Sequence, residues 1–362
     1  MAEKLKDMFF SESFVRGLAR AIGAVDEKFE KERFVRLVFD KDWEERELKA
    51  RMRHVTECLS ATLPDDYPRA LEILKQVAPQ FRGFDAMVFP DFVENNGMDH
   101  WDLSMTALGE FTTNCSSEFA VRPFLAKDAH KALKYFSLWA RHPDPSVRRL
   151  ASEGCRPRLP WAMALPVFKK DPRPILPVLE RLKNDESESV RRSVANNLND
   201  ISKDNPDLAL DVCERWSGQS PEVDWIVKHA CRDLLKSGNK RALMLFGFGD
   251  PANIHVENFS FDQKELSIGE DLRFSFELSV KTGKNCRIRL EYAVYYVKAS
   301  GRPSRKIFQI REIDSKPGRY KFSRKQTFMD FSTRRHYPGE HFISIFVNGV
   351  EKTKKSFLLK GS

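Results

Sequence analysis

The chain has 362 residues, 41% hydrophobic and 31% charged, which is typical of a globular protein with two or three domains. No apolar run approaches the length of a membrane span, and the N-terminal segment MAEKLKDMFFSESF lacks the apolar centre of a signal peptide. The six cysteines are scattered without a Cys-x-x-Cys pair, which argues against a zinc or iron–sulfur site and suits a reducing cytosol. We therefore expect a cytoplasmic protein without a membrane partner.

The net charge of +9 is unevenly distributed along the chain. Residues 254–362 hold 22 Lys and Arg against 12 Asp and Glu, a balance of +10, whereas residues 1–253 hold 39 against 40. Such an asymmetry indicates a polyanionic partner, most often nucleic acid.

The first third of the sequence predicts helices separated by proline and glycine breaks. Apolar residues recur at helical spacing within residues 1–40, and residues 43–59 and 67–77 are each predicted as one helix. Residues 89–91, Phe-Pro-Asp, are expected to break the chain before a helix over residues 99–113.

The segment SSEFAVRPFL, residues 116–125, contains a carboxylate with several possible roles. Ser116 and Ser117 can cap a helix whose first turn holds Glu118, where a carboxylate stabilises the helix dipole. Arg122 follows four residues later, so an ion pair is also available. Elementary chemistry alone favours these structural roles over a functional one.

The motif Ser-Val-Arg-Arg occurs twice, each time after an acidic turn. Val147 and Val190 are equivalent and 43 residues apart, and a weaker third copy places Ile226 36 residues after Val190. A period in this range is typical of two-helix solenoid repeats of the HEAT type.

Both strong copies predict an amphipathic helix. Asp144 is expected to cap the first, with Pro145 at the first helical position. On the second, Arg192, Asn196 and Asp200 are four residues apart and form one line on the surface. The paired arginines fit equally well a ladder that follows a phosphate backbone and an ordinary solvated face.

The first strong repeat ends in residues 156–161, Arg-Pro-Arg-Leu-Pro-Trp, where two prolines exclude a regular helix. Trp161 is compatible with a structural role in the interior, the commoner case for tryptophan. A Trp beside arginines in an irregular segment also suits a site for a cationic ring or a nucleotide.

From Ile254 the periodicity changes from helical to alternating, after the boundary at residues 246–251. Seven strands in about a hundred residues predict an immunoglobulin-like or fibronectin-like sandwich. The loop over residues 332–337 concentrates Arg334, Arg335 and His336, and the charge of this region favours a nucleic-acid contact over a merely solvated loop. The predicted strands are residues 254–261, 270–280, 286–297, 305–312, 319–329, 341–348 and 352–359.

Three segments together resemble the AlkC branch of the AlkC/AlkD-type alkylpurine DNA glycosylases: SSEFAVRPFL, DPSVRRLASEGCRPRLPW and SVRRSVANNLNDISKDNP. The resemblance covers essentially residues 1–250, and some members of the family carry a C-terminal immunoglobulin-like domain. It implies a multidomain chain, with an α-solenoid of HEAT-like repeats over residues 1–250 followed by an immunoglobulin-like β-sandwich, residues 254–362, that binds DNA.

The resemblance also implies an activity. Family membership implies excision of 3-methyladenine and 3-methylcytosine from duplex DNA by a monomer in the bacterial cytosol, with neither metal nor cofactor and without flipping the base. Matching the segments residue by residue places the catalytic carboxylates at Glu118 and Asp200 and the aromatic residue of the site at Trp161. The residues expected to contact DNA are Arg148, Arg149, Arg156, Arg158, Arg191, Arg192, Asn196, Lys228, Arg334, Arg335 and His336.

Two other functions remain compatible with the sequence. One is a non-enzymatic HEAT-repeat scaffold, which would show no preference for DNA. The other is a paralogue that binds DNA but releases no base. Hydrolase and kinase motifs such as Gly-x-Ser-x-Gly, the Walker loop and His-Glu-x-x-His are absent from the sequence.

Overall fold

The computed structural model describes residues 5–331 and 334–361. Its contacts divide the chain into two compact units, Met1–Ala230 and Cys231–Ser362, which we call the helical unit and the sandwich unit. No helix among the described residues is both long and apolar enough to cross a membrane.

The helical unit consists of α-helices joined by short turns, four of which are 3₁₀ turns. The α-helices are α1 Leu5–Met8, α2 Glu12–Val25, α3 Lys31–Val38, α4 Leu48–Ser60, α5 Tyr67–Val77, α6 Val88–Asn96, α7 Trp101–Phe111, α8 Arg122–Lys127, α9 Ala129–Trp139, α10 Pro145–Glu153, α11 Pro166–Lys170, α12 Leu176–Leu182, α13 Glu188–Asp204, α14 Pro206–Trp216 and α15 Pro221–Ala230. The 3₁₀ turns are Trp43–Glu45, Ala78–Gln80, Asp85–Met87 and Arg173–Ile175.

Two predictions in the first third of the chain are wrong. The helix expected over residues 43–59 is broken, because Arg46 is extended and binds Asp40 through two hydrogen bonds of 2.6 and 2.8 Å. The break expected at residues 89–91 is instead the first turn of α6. Pro90 is tolerated there because the first N–H groups of a helix have no intrahelical partner.

The helices of the Ser-Val-Arg-Arg motif, α10 and α13, form as predicted. The Asp144 carboxylate accepts a hydrogen bond of 2.7 Å from the N–H of Ser146, and Pro145 begins the helix. The apolar stripes of both helices are buried: Val147, Leu150 and Ala151 on α10, and Val190, Val194, Leu198 and Ile201 on α13.

The segment before α8 differs from its prediction. Ser117 does not cap a helix, because its hydroxyl donates to the carbonyl of Leu108, 2.8 Å away. Residues 118–121 form a turn, and the helix begins only at Arg122. The ion pair with Glu118 that the spacing made available is not the arrangement of Arg122, which donates to backbone carbonyls instead.

The sandwich unit contains two short helices and two sheets. The helices are α16 Arg232–Ser237 and α17 Lys240–Leu245, and the strands are β1 Ile254–Phe261, β2 Glu265–Ser267, β3 Asp271–Val280, β4 Cys286–Val297, β5 Pro303–Ser315, β6 Gly318–Thr327, β7 Gly339–Val347 and β8 Val350–Lys360. One sheet has the order β1-β3-β6 and the other β2-β8-β7-β4-β5. All pairs are antiparallel except β2 with β8.

The seven predicted strands all form, and their alternating residues fill the core between the sheets. Leu272, Phe274, Phe276 and Leu278 on β3 are buried, as are Ile288, Leu290 and Tyr292 on β4. Strand β2 was not predicted, because its three residues are too few to show alternation. The predicted architecture, helical repeats followed by a β-sandwich, is confirmed.

The two short helices belong with the sandwich because the backbone around them is bound by strand residues. Arg287 donates to the carbonyl of Phe246 at 3.1 Å, Asn348 to Gly249 at 2.8 Å, and Lys352 to Pro251 at 2.7 Å. The compact sandwich unit therefore begins earlier in the chain than the composition change at residues 250–254.

Candidate active site

Helices α10 and α13 pack side by side and leave an open cleft of about 530 Å³ between their exposed faces. The Ser-Val-Arg-Arg motif places its second arginine, Arg149 or Arg192, at this cleft in both repeats. The cleft is lined by Arg149, Glu153, Ser187, Glu188, Ser189, Arg192, Ser193 and Asn196.

A chain of alternating charges begins at the cleft and continues into the interior. The Arg149 guanidinium lies 3.5 Å from Glu118 and 3.7 Å from Glu153. Arg156 then donates to Glu153 at 2.7 Å and, through Nε, to Asp200 at 2.8 Å. These five side chains place three carboxylates around two guanidinium groups.

The second oxygen atoms of the Glu153 and Asp200 carboxylates also have hydrogen-bond partners in the interior. The Ser193 hydroxyl donates to Oε2 of Glu153 at 2.6 Å, and Lys203 donates to Oδ1 of Asp200 at 3.3 Å. Buried carboxylates need such partners, because an unpaired charge away from water is strongly unfavourable.

Local sequence spacing builds most of this network. Arg149 and Glu153 are four residues apart on α10, and Arg156 follows Glu153 by three residues in the irregular segment after the helix. Asp200 is contributed by α13, which packs against α10, so Arg156 joins the two repeats.

Burial increases along the network. The Glu118 side chain is 13% exposed, whereas the Asp200 side chain is only 2% exposed. Burial alone would lower the pKa of Arg156, but the Glu153 and Asp200 carboxylates raise it above its usual value. Burial and the Glu118 charge together raise the pKa of the neighbouring Cys115 thiol to about 12.

Trp161 is exposed, contrary to the structural role in the interior that tryptophan usually has. The residue is 64% exposed and its backbone is left-handed, with φ 63°. This conformation is disfavoured for a bulky residue and is retained where surrounding structure enforces it, often at functional sites.

The first arginine of each Ser-Val-Arg-Arg motif is used by the scaffold. Arg148 makes two hydrogen bonds to Asp185, of 2.6 and 2.9 Å, and also donates to the carbonyls of His142 and Pro143. Arg191 donates to the carbonyls of Asp185 and Glu186. Both arginines therefore bind the turn over residues 185–186.

The remaining predicted residues of the helical unit are less enclosed. Arg192 is exposed and pairs with Glu188 on its own helix. Arg158 is bound to Asp204 at 2.6 and 2.7 Å. The Asn196 side-chain oxygen lies 3.0 Å from Nε2 of His229, and Lys228 is exposed on α15.

In the sandwich unit, the predicted loop presents one exposed arginine. Arg335 is exposed, whereas the Arg334 guanidinium lies 5.2 Å from the Tyr296 ring centroid. His336 is buried, with Nδ1 3.1 Å from Asp330, so its ring is not presented at the surface. Ser332 and Thr333 of this loop lie outside the described residues.

Glu153 was not predicted as a site residue, although the sequence carries a signal for it. The period of 43 residues makes Glu153 equivalent to Asn196, the middle residue of the line predicted on α13. Extending that line to the first repeat gives Arg149 followed by Glu153, both at the cleft. A deeply buried carboxylate could not be inferred from periodicity, because Asp200 occupies a position that the pattern assigns to the polar face.

Across residues 5–331 and 334–361, no three His, Cys, Asp or Glu side chains are arranged so that they could hold a metal ion. The cleft instead combines carboxylates with guanidinium groups. Such a site favours a ligand that carries both a positive charge and phosphate groups.

Comparisons with known proteins match both units. Residues 175–204 match the HEAT repeat, and residues 255–361 match the C-terminal Ig-like domain of the uncharacterised protein YhaZ. YhaZ of Bacillus subtilis (strain 168) is 44% identical over 354 residues, 98% of either chain. The chain is thus a HEAT-repeat protein with a C-terminal immunoglobulin-like domain.

One solved structure specifies the family further. The Pseudomonas fluorescens alkylpurine DNA glycosylase AlkC, bound to DNA containing an abasic site analogue, matches with a TM-score of 0.93 and 36% identity. The match covers 99% of this chain and all of the other. The chain belongs to the AlkC-type family, which confirms the resemblance found in the sequence.

Proposed function

We propose that the protein is a DNA glycosylase that hydrolyses the N-glycosidic bond of cationic alkylated bases, 3-methyladenine and 3-methylcytosine, in duplex DNA. In this proposal it acts as a monomer on chromosomal DNA in the bacterial cytosol, without flipping the base and without cutting the strand. The observation that carries the proposal is the network of three carboxylates and two arginines that begins at the cleft and continues into the interior, in a chain of the AlkC-type family.

The chemistry requires little acid catalysis. A base methylated at N3 is already a cation, so it can leave the sugar without being protonated. The sugar carbon then develops the positive charge of an oxocarbenium ion, as in glycoside hydrolysis. Carboxylates fixed beside that carbon stabilise the charge, and one of them can orient or deprotonate the attacking water.

Among the three carboxylates, Glu118 is best placed to meet the substrate. Its side chain is the most exposed of the three, and its contact with Arg149 is long, at 3.5 Å. Glu153 and Asp200 are held by shorter hydrogen bonds. We assign the direct contact with the sugar or water to Glu118, and to Asp200 a contribution through the negative potential of the cleft.

Trp161 supplies the aromatic surface in this proposal. Its indole is exposed on a segment that begins beside Arg156, and the face of an indole attracts a cation. The exposed ring would therefore stabilise the charged base or the developing cation of the sugar. Loss of the ring should slow the chemical step.

Arg149 and Arg192 are the arginines of the repeats that we expect to bind phosphates. They line the cleft, and phosphate contacts position an enzyme on DNA without reading its sequence. Arg148, Arg156 and Arg191 were also predicted to contact DNA, but their contacts favour a role in holding the scaffold. Arg335 is the counterpart in the sandwich unit, whose net charge favours an additional contact with DNA.

The test is release of free methylated bases from methylated duplex DNA, with a chelator present and no added metal. Wild type is compared with Glu118→Gln and Asp200→Asn, which remove a charge but keep the shape of the side chain. Glu27→Gln makes the same change at an exposed position in the turn that follows α2 and serves as the control.

Release of 3-methylated bases by wild type and by Glu27→Gln, lost in Glu118→Gln while DNA binding persists, would support the proposal. Wild type that binds DNA but releases no base would overturn it in favour of an inactive paralogue. If the protein shows no preference for DNA, the non-enzymatic scaffold becomes the favoured function.

A further inference from the structure

The segment that carries Trp161 is fixed from the inside by Arg122. This buried guanidinium donates to the carbonyl of Met163 at 2.6 Å, and to those of Gly154 and Arg156 at 3.0 and 2.9 Å. Burial lowers the pKa of Arg122 to about 10. The acceptors lie on both sides of Trp161 in the chain, so Arg122 ties the two ends of the segment together.

The backbone of Trp161 itself is held from the outside by Lys49. The Lys49 ammonium on α4 donates to the Trp161 carbonyl at 2.7 Å, across 112 residues of sequence. It also lies 4.8 Å from the ring centroid of Phe119, the residue after Glu118. One side chain therefore touches both the tryptophan segment and the turn that carries the exposed carboxylate.

The left-handed backbone of Trp161 explains why the hydrogen bond from Lys49 matters. A tryptophan with φ 63° would relax to a more favourable conformation unless its neighbours opposed the change. Rotation of that backbone would turn the carbonyl away from Lys49 and redirect the exposed indole. A charge-assisted hydrogen bond at the carbonyl opposes this rotation at the residue where it would begin.

We propose that Lys49 is a positioning residue, which fixes the orientation of the Trp161 indole relative to Glu118 by holding the Trp161 carbonyl. The proposal rests on the proposed function, because the orientation matters only if the indole meets the substrate. Lys49 need not contact DNA, so its loss should slow the chemical step and leave affinity unchanged.

The first test is a kinetic double-mutant cycle. Lys49→Met keeps the aliphatic packing and removes the donor, and we expect it to lower the single-turnover excision rate at saturating protein about fivefold. Lys49→Arg keeps a charged donor and should retain most of the wild-type excision rate. Lys41→Met removes the same charge from an exposed turn and should leave the rate unchanged.

The cycle separates positioning from a general electrostatic effect. If Lys49 acts through the indole, Lys49→Met in a Trp161→Ala background should have no further effect. If the rate reductions of Lys49→Met and Trp161→Ala multiply in the double mutant, the proposal is overturned. A larger loss of DNA affinity in Lys49→Met than in Lys41→Met would also overturn it.

A second measurement does not depend on activity. The N–H of Leu165 donates to Pro157 at 3.1 Å and that of Ala162 to Leu159 at 3.3 Å, so both amides report on the segment. Lys49→Met should increase their hydrogen exchange. Unchanged exchange in Lys49→Met would overturn the positioning role. Faster exchange in Lys49→Met, together with a wild type that excises no base, would establish the contact and reject the proposed function.

Discussion

Replacing Arg156 with methionine should destabilise the helical unit strongly. The Arg156 side chain is 8% exposed and donates to Glu153 and Asp200, so its removal leaves two buried carboxylates without their principal partner. Breaking one buried pair in this way costs about 3–5 kcal/mol. Ser193 and Lys203 remain as partners, which favours the lower end of that range.

For a unit of this size, such a change should lower the melting temperature by about 6–12 °C. Urea denaturation followed by far-UV circular dichroism, which reports mainly on the helices, measures the free energy of unfolding. Asp200→Asn introduced into the Arg156→Met protein should recover part of the loss, because it removes an uncompensated buried charge.

Arg192→Met is the matched control, since Arg192 has a side chain 59% exposed and one ion pair within its own helix. We expect it to change the free energy of unfolding by less than about 1 kcal/mol. Equal stability of the two variants would refute the structural role of Arg156. Weaker DNA binding with a smaller salt dependence in Arg156→Met would then identify a phosphate contact instead.

Three further predictions concern other charged groups. Arg289→Met should destabilise the sandwich unit by about 3–5 kcal/mol in thermal denaturation, because it leaves Glu291 buried and unpaired; a small loss, unaffected by adding Glu291→Gln, would contradict this. The hydrogen bond from Arg158 lowers the pKa of the Asp204 carboxyl. Their pairing therefore stabilises the folded protein at pH values above the unfolded-state pKa of Asp204, and this stabilisation is lost as the pH falls. The stability gap between wild type and Arg158→Leu should therefore close below about pH 4, and a constant gap would refute the pairing. Arg335→Ser should weaken DNA binding at every sequence and reduce the salt slope by about one in titrations at several ionic strengths, whereas an unchanged slope would exclude a phosphate contact.

The sequence predicted the elements whose residues repeat at a regular spacing. Val147 and Val190 marked the buried stripes of α10 and α13, and the alternation in β3 and β4 marked the sandwich core. Such patterns are reliable because a single periodic face must be buried for the element to be stable.

The sequence could not predict contacts that long-range packing decides. Ser117, a good helix cap by type, donates to Leu108 on α7 because the chain turns back there, and the following helix starts four residues after Glu118. Glu118 lies at the right helical spacing to pair with Arg122, but Arg122 donates hydrogen bonds to carbonyls of a segment more than thirty residues away. Local spacing shows which partners a residue could contact. Only the packing of the whole chain decides which of them it does contact.

The same limit applies to the paired arginines. The repeat spacing left a phosphate ladder and a solvated face equally acceptable, yet each pair divides between two roles. Arg148 and Arg191 bind the turn over residues 185–186, while Arg149 and Arg192 face the cleft. Adjacent residues on a helix point about a quarter turn apart, so one arginine of each pair can reach the turn while the other faces the cleft.

The charge network is tight in the interior and loose at the cleft, which matters for the proposed reaction. Arg156 holds Glu153 and Asp200 at hydrogen-bonding distance, whereas Arg149 lies 3.5 Å or more from Glu118 and Glu153. Arg149 is therefore the cation that the network loses at least cost. In the proposed reaction, a phosphate group would attract the guanidinium and leave the Glu118 carboxylate to the positive charge that develops on the sugar. An undamaged neutral base leaves the sugar far less readily and develops no such charge, so the exchange would favour charged lesions.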